Sequence, residues 1–137
     1  MPGEEGSWRL RGASLAVWSG EVVWVAGADG AALRALLACL RGAPAWGGLV
    51  RARPGWWRYG RVLGPLDVDR RAPDALARRL VVRARRAIGG ALVAGLVVDE
   101  SADAWAAVHV AAALAARHVP VRCVALRGGR VVPPPFR

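Results

Sequence analysis

The spacing of apolar residues changes along this chain, and the changes predict strands alternating with helices. Residues 21–27, EVVWVAG, form an apolar run of strand length, and leucines at positions 33, 36, 37 and 40 then recur at helical spacing. Asp29 stands at the expected N-cap of this helix, which is predicted over residues 31–41. The same criteria predict further strands at 14–17, 48–53, 58–64, 91–98 and 121–126, and further helices at 73–88 and 102–117.

This alternation is typical of an α/β layer with a largely parallel sheet and flanking helices. The 137 residues fit a single domain that buries its own core, in which we expect residues 1–7 and 133–137 to be flexible ends. The longest apolar stretches are too short or too interrupted for the roughly 20 residues of a membrane-spanning helix. The N-terminus carries two glutamates and lacks the apolar core of a secretory signal, so the expected location is the cytoplasm.

The composition is strongly basic, because the chain has 20 basic residues and 10 acidic ones, which gives a formal net charge of +10. All of the basic residues are arginine. Such a surface attracts polyanions, so we expect weak, salt-sensitive binding of RNA or DNA. A GC-rich coding sequence would produce the same arginine excess without any ligand. Cys39 and Cys123 make no disulfide framework, and neither a metal cluster nor a cofactor is predicted.

The segment 27–42, GADGAALRALLACLRG, has the outline of a phosphate-binding loop that opens a helix. In its wider context, residues 10–42 resemble the start of the nucleotide-binding domain of ABC-type ATPases, in which a Gly-Glu turn and an apolar strand precede GPNGAGKST and a leucine-rich helix. The positions in register with that pattern are Gly20, Glu21, Gly27, Gly30, Ala31, Leu36, Leu37 and Gly42.

Two later segments resemble the same family in the same order. Residues 77–101 are similar to the helix with an arginine-rich end that leads into the Walker B strand and its Asp-Glu pair. Residues 124–132, VALRGGRVV, are similar to the late strand-Gly-strand hairpin. The resemblance implies a reduced, layered P-loop NTPase-like fold. The helical signature subdomain is missing from it, because too few residues separate 58–64 from the Walker B strand.

The loop departs from the family at the positions that carry chemistry. A working loop reads G-x-x-x-x-G-K-[ST], in which the lysine reaches the β and γ phosphates and the hydroxyl holds magnesium. This degenerate loop comprises Gly27, Asp29, Gly30, Ala32, Leu33 and Arg34. Leucine occupies the lysine position and arginine the hydroxyl position. We therefore expect Leu33 to lie on the buried face of an ordinary capped helix, although Arg34 could reach a phosphate from the neighbouring position.

The resemblance gives Asp99 the role of a magnesium ligand and Glu100 that of positioning the attacking water. A structural alternative is that the two carboxylates cap the following helix, together with Ser101 or Asp103, or pair with arginines. The family's signature motif and switch histidine have no counterpart here, and Gly64-Pro65 replaces its glutamine. Without these parts and the lysine, we expect no catalysis and no nucleotide cofactor.

A candidate interaction surface combines tryptophan and arginine. Trp56 and Trp57 stand in a predicted turn beside basic residues, a combination found in nucleic-acid and protein interfaces but also in tryptophans that hold a sheet on its helices. The predicted helix 73–88 adds Arg78, Arg79, Arg83 and Arg86. A solvated helix face would have the same arginine pattern.

Taken together, the sequence predicts a non-catalytic pseudo-ATPase that acts as a structural or regulatory protein-interaction module, with a protein partner or a second copy of itself. Two alternatives stay open. One is a basic nucleic-acid-binding module that uses the arginine helix and the tryptophan pair. The other is a residual ATP-binding subunit of an ABC-type complex, to which a partner supplies the missing cation.

Overall fold

A computed structural model of the chain describes residues 15, 17, 20–41, 61–86 and 91–136. The elements in chain order are β1 (Val22–Gly27), α1 (Gly30–Leu40), β2 (Arg61–Asp67), α2 (Pro73–Arg86), β3 (Leu92–Val97), α3 (Ala102–Ala115), β4 (Val121–Arg127) and β5 (Arg130–Val132). The alternation of strands and helices confirms the predicted α/β class. The predicted strand 48–53 lies outside the described residues, as do two of the four residues of the predicted strand 14–17.

The five strands form one sheet in the order β2-β3-β1-β4-β5. β1 pairs in parallel with both β3 and β4, β2 pairs in parallel with β3, and only β5 is antiparallel, to β4. The carboxyl ends of four parallel strands therefore meet at one edge of the sheet. Loops at this edge form the ligand sites of open α/β sheets.

Helices cover both faces of the sheet, which explains why β1 is apolar throughout. Successive residues of a strand point to opposite faces. Trp24 thus lies in the core on the side of α2 and α3, while Val23 and Val25 pack on the side of α1. These helices have 11, 14 and 14 residues, and no helix in the described segments is long and apolar enough to cross a membrane.

β2 extends beyond its predicted end. The sequence predicts a strand over residues 58–64 that stops at Gly64-Pro65, whereas β2 continues through Pro65 to Asp67. Proline is tolerated because β2 is an edge strand of the sheet formed by the described residues, where a missing N–H breaks no ladder hydrogen bond within that sheet. The pairing with β3 shifts register between Leu63 and Leu66, and Gly64 adopts a positive φ of 104°.

Phe136, near the C-terminus, packs against α3. The Phe136 ring lies 4.8 Å from the His109 ring and 6.2 Å from the Trp105 ring, between centroids. Both partners belong to α3. Because proline fixes φ, the stretch of three prolines before Phe136 has little conformational freedom to lose when the ring packs on the helix.

Candidate functional site

The degenerate loop and the Asp-Glu pair meet at the carboxyl edge of the sheet, because their strands are direct neighbours. Gly27 at the end of β1 pairs with Val97 at the end of β3, and the Val98 N–H donates to the Gly27 carbonyl at 3.0 Å. The loop that opens α1 and the turn that opens α3 therefore lie side by side. The sequence motifs, 65 to 73 residues apart in the chain, form one candidate site.

A side chain of the loop itself caps the N-terminus of α1. Asp29 is the N-cap, and its Oδ1 accepts hydrogen bonds from the Ala31 N–H at 3.0 Å and the Ala32 N–H at 3.1 Å. Amides at a helix N-terminus are the donors that hold phosphate in a working loop. Here a carboxylate of the protein takes two of these donors and places a negative charge where a phosphate would lie.

The lysine position is part of the core. Leu33 is 0% exposed and packs in the cluster between α1 and the sheet that includes Val25 and Val93. The predicted burial of Leu33 is confirmed. Arg34, at the hydroxyl position, is exposed, and its Nη2 atom lies 4.0 Å from the point where a Cβ on Gly30 would stand. Arg34 is therefore a cation beside the first turn of α1.

Gly27 is required by packing within the sheet. A Cβ atom at this position would lie 2.6 Å from the Leu126 carbonyl oxygen of β4, closer than any ordinary contact. The close approach of the β4 backbone thus accounts for the glycine without any ligand. The first glycine of the phosphate-loop pattern has a structural function in this chain.

Asp99 is held in the turn that starts α3. It accepts a hydrogen bond from the Ser101 N–H at 3.1 Å and another from the Ser101 hydroxyl, and Arg70 Nη2 lies 3.4 Å from its Oδ2 atom. The hydroxyl of Ser101 also accepts from the Ala104 N–H at 3.2 Å, which makes Ser101 the N-cap of α3. The two Ser101 hydrogen bonds, and to a lesser extent the charge of Arg70, lower the pKa of Asp99.

Glu100 is held between an arginine and a tryptophan. Its Oε2 atom accepts from Arg127 Nη2 at 2.8 Å and from the Trp105 indole N–H at 3.2 Å. The Arg127 guanidinium also lies over the Trp105 ring, 5.3 Å from its centroid. The Glu100 carboxylate thus accepts one hydrogen bond from a cation on β4 and one from a neutral donor on α3.

Both carboxylates of the pair are compensated by arginines that the sequence analysis did not identify. Arg70 follows β2 and Arg127 ends β4, so both stand at the same edge of the sheet as the acids they contact. Their position just after strands was the available signal. Among the described residues, no group of three or more histidine, cysteine, aspartate or glutamate side chains could hold a metal ion.

The candidate interaction surface is described only in part. Trp56 and Trp57 lie outside the described residues. The four arginines predicted for this surface are all exposed on α2, where Arg78 pairs with Asp74 at 3.1 Å: Arg78, Arg79, Arg83 and Arg86. The structure thus describes an arginine surface but not its relation to the tryptophans.

Comparison with known proteins gave no relative for this chain. A scan against protein-family models, a search of curated proteins and a search of solved structures each returned no match.

Proposed function

We propose that this chain is a non-catalytic domain of the ABC-ATPase type, in which the former nucleotide site serves the fold and the function is protein interaction. The observation that carries the proposal is the occupied helix N-terminus. Asp29 takes the amides of Ala31 and Ala32, and Leu33 is buried where the phosphate-binding lysine would stand. A phosphate at this loop would have to displace the cap and approach its carboxylate.

The arrangement at the end of β3 supports the same proposal. Phosphoryl transfer needs a metal ion on the first acid and a free carboxylate to position the nucleophile. In this chain Asp99 is engaged by Ser101 and Arg70, and Glu100 by Arg127 and Trp105. A metal ion on Asp99 would compete with Arg70 and Ser101, and Glu100 would have to leave Arg127 and Trp105 to position a nucleophile.

α3 provides the surface for interaction. Its only polar side chains are Asp103 and His109, and its outer side is formed by exposed alanines and Val110, which is 44% exposed. The exposed apolar positions are Ala102, Ala106, Val110 and Ala113. A helix that is apolar all round is normally covered on all sides. Phe136 contacts His109 and Trp105 and so borders this face.

The partner that fits this face is a second copy of the chain. Asp103 and Arg117 are both exposed and stand seven residues before and after Val110. Antiparallel packing of two α3 helices about Val110 would therefore place Asp103 of each copy near Arg117 of the other, in a two-fold interface. The small side chains of Ala106 and Ala113 would allow the helices to approach closely.

Titration calorimetry with magnesium-ATP tests the loss of the nucleotide site. We expect no micromolar binding by the unmodified protein and no hydrolysis. Arg34→Gln is the diagnostic variant, because Arg34 is the cation at the loop. Micromolar binding that Arg34→Gln abolishes would show a working, divergent site and would overturn the proposal.

Light scattering tests the interaction. We expect a dimer with the same stability in the presence and absence of magnesium-ATP, and Val110→Glu should give a monomer. Val82→Glu is a matched control, because Val82 on α2 is 48% exposed and lies outside the α3 face. Asp103→Arg should weaken the dimer, and the double variant Asp103→Arg/Arg117→Asp should restore it. A dimer that forms only with nucleotide, or one that Val110→Glu leaves intact, would contradict the proposal.

A further inference from the structure

The outer side of α2 carries a concentrated positive surface, which we call the arginine face: Arg78, Arg79, Arg83, Arg85 and Arg86. All five side chains are exposed, while Leu76, Ala77, Leu80 and Val81 form the buried side of the helix. Val82 lies at the centre of the face. Helix spacing places it three or four residues from Arg78, Arg79, Arg85 and Arg86, so arginines surround it on the surface.

Within the described residues, the acids of this chain do not neutralise the arginine face. Asp74 pairs with Arg78 at 3.1 Å, and the other four arginines have no hydrogen bond or ion pair to a described residue. Elsewhere the acids contact other arginines: Glu21 pairs with Arg122, Asp99 with Arg70 and Glu100 with Arg127. Four guanidinium groups on one helix thus keep their donors available to a ligand.

The stability of α2 does not account for this arrangement. Cations near a helix C-terminus interact favourably with the helix dipole, which explains Arg83, Arg85 and Arg86 in the last turn but not Arg79. Arg79 and Arg83 stand four residues apart, and Arg83 and Arg86 three apart. Like charges are therefore neighbours on the helix surface, and their repulsion destabilises the helix. A polyanion that binds there would remove this repulsion.

We infer that the arginine face binds the phosphate backbone of nucleic acid without reading its sequence, a function beyond the interaction proposed for α3. Guanidinium groups bind phosphate through two parallel hydrogen bonds. The described part of the face has no aromatic side chain on which bases could stack. Its single exposed valine does not form the apolar centre that a protein interface needs, which favours phosphates over an acidic protein surface.

Fluorescence anisotropy with a labelled uridine oligonucleotide of about 20 nucleotides tests the inference over a range of salt concentrations. The test variant is Arg79→Gln/Arg83→Gln. The matched control is Arg71→Gln/Arg130→Gln, which removes the same charge from exposed positions before α2 and on β5. Loss of two phosphate contacts should weaken binding about tenfold near physiological salt and reduce the slope of log K against log salt by about 1.4.

The control should retain most of the affinity and the original slope. Equal losses in the two variants would show that net charge alone drives binding and would overturn the inference. Polyglutamate of equal length should bind at least about tenfold more weakly than the oligonucleotide, and equal affinity would identify an acidic protein surface instead. Arg85→Gln/Arg86→Gln is a second variant of the face and keeps the test decisive if the first lowers the melting temperature.

Discussion

The two loops of the candidate site lie side by side but are closed by different means. At the end of β1, the loop is closed by burial and by a short-range cap, since Leu33 is in the core and Asp29 binds the helix amides. At the end of β3, Asp99 and Glu100 are roughly half exposed and are held by arginines on neighbouring loops. The first arrangement is part of the fold, whereas the second is on its surface.

This difference indicates which changes would be hardest to reverse. Exposed ion pairs contribute little to stability, typically about 0–1 kcal/mol, and can be broken by salt or by a single substitution. A buried leucine cannot be replaced by lysine without placing a charge in the core. The loop after β1 is therefore the part of the site that would most strongly resist the introduction of a phosphate-binding lysine.

The largest effect is expected at Leu33. Leu33→Lys should lower the free energy of unfolding by about 3 kcal/mol or more, because it removes buried apolar surface and brings an ammonium group into the core. Denaturant unfolding measures the change, with Arg34→Lys as the exposed control that should alter stability by less than about 0.5 kcal/mol. The double variant Ala32→Gly/Leu33→Lys should show no ATP hydrolysis. An unchanged free energy of unfolding in Leu33→Lys would show that the side chain at position 33 reaches solvent.

The cap at Asp29 comes next. Asp29→Ala should cost about 1 kcal/mol of unfolding free energy, because two amides at the start of α1 lose their acceptor. Asp29→Asn should retain most of the stability, since its side-chain carbonyl can accept the same bonds. Urea denaturation of the three proteins measures both effects. If the Asn variant were as unstable as the Ala variant, the charge rather than the hydrogen bonds would hold the loop.

In the second loop, Ser101 should control the titration of Asp99. The lowered pKa of Asp99 stabilises the folded protein above the ordinary value of 3.8, and this contribution is lost as the pH falls through the lowered pKa. Ser101→Ala should raise the pKa of Asp99 more than Arg70→Gln does, because the Ser101 hydrogen bonds are the larger cause. Carbon-detected NMR titration of the carboxylate separates the two variants. A larger shift in Arg70→Gln would reverse the assignment.

The smallest effect is expected for the ion pair between Arg127 and Glu100. Arg127→Gln should cost less than about 1 kcal/mol, and the loss should diminish in molar salt because both side chains are partly exposed. Thermal unfolding at low and high salt measures it. The cost of Leu33→Lys should persist in molar salt, so the two loops should differ in salt response as well as in magnitude.

The elements with a strong local signal were predictable from the sequence. The Asp29 cap, the leucine spacing of α1 and the proline that opens α2 placed these helices within two residues of their observed bounds. Apolar runs likewise located β1 and β4. These features depend on neighbours in the chain, and local spacing describes them fully.

The features that were missed depend on partners distant in sequence. Arg127 contacts Glu100 because β4 and β3 both flank β1, an order that no local pattern specifies. The continuation of β2 through Pro65 depends on the position of the strand at an edge of the described sheet. The contact of Phe136 with His109 of α3 likewise joins two positions that no local pattern relates. Local reasoning located the acids of the candidate site but not the cations that hold them.

The glycine at the end of β1 has a consequence for the identification of such domains by pattern. Because the β4 carbonyl of Leu126 leaves no room for a Cβ atom at Gly27, glycine is needed there whether or not the loop binds phosphate. Substitution by alanine would disturb the sheet before it affected any ligand. Where the neighbouring strand approaches this closely, a pattern search that weights the first glycine will select domains with and without nucleotide chemistry alike. The residue after the second glycine position, Leu33 in this chain, is the more informative one.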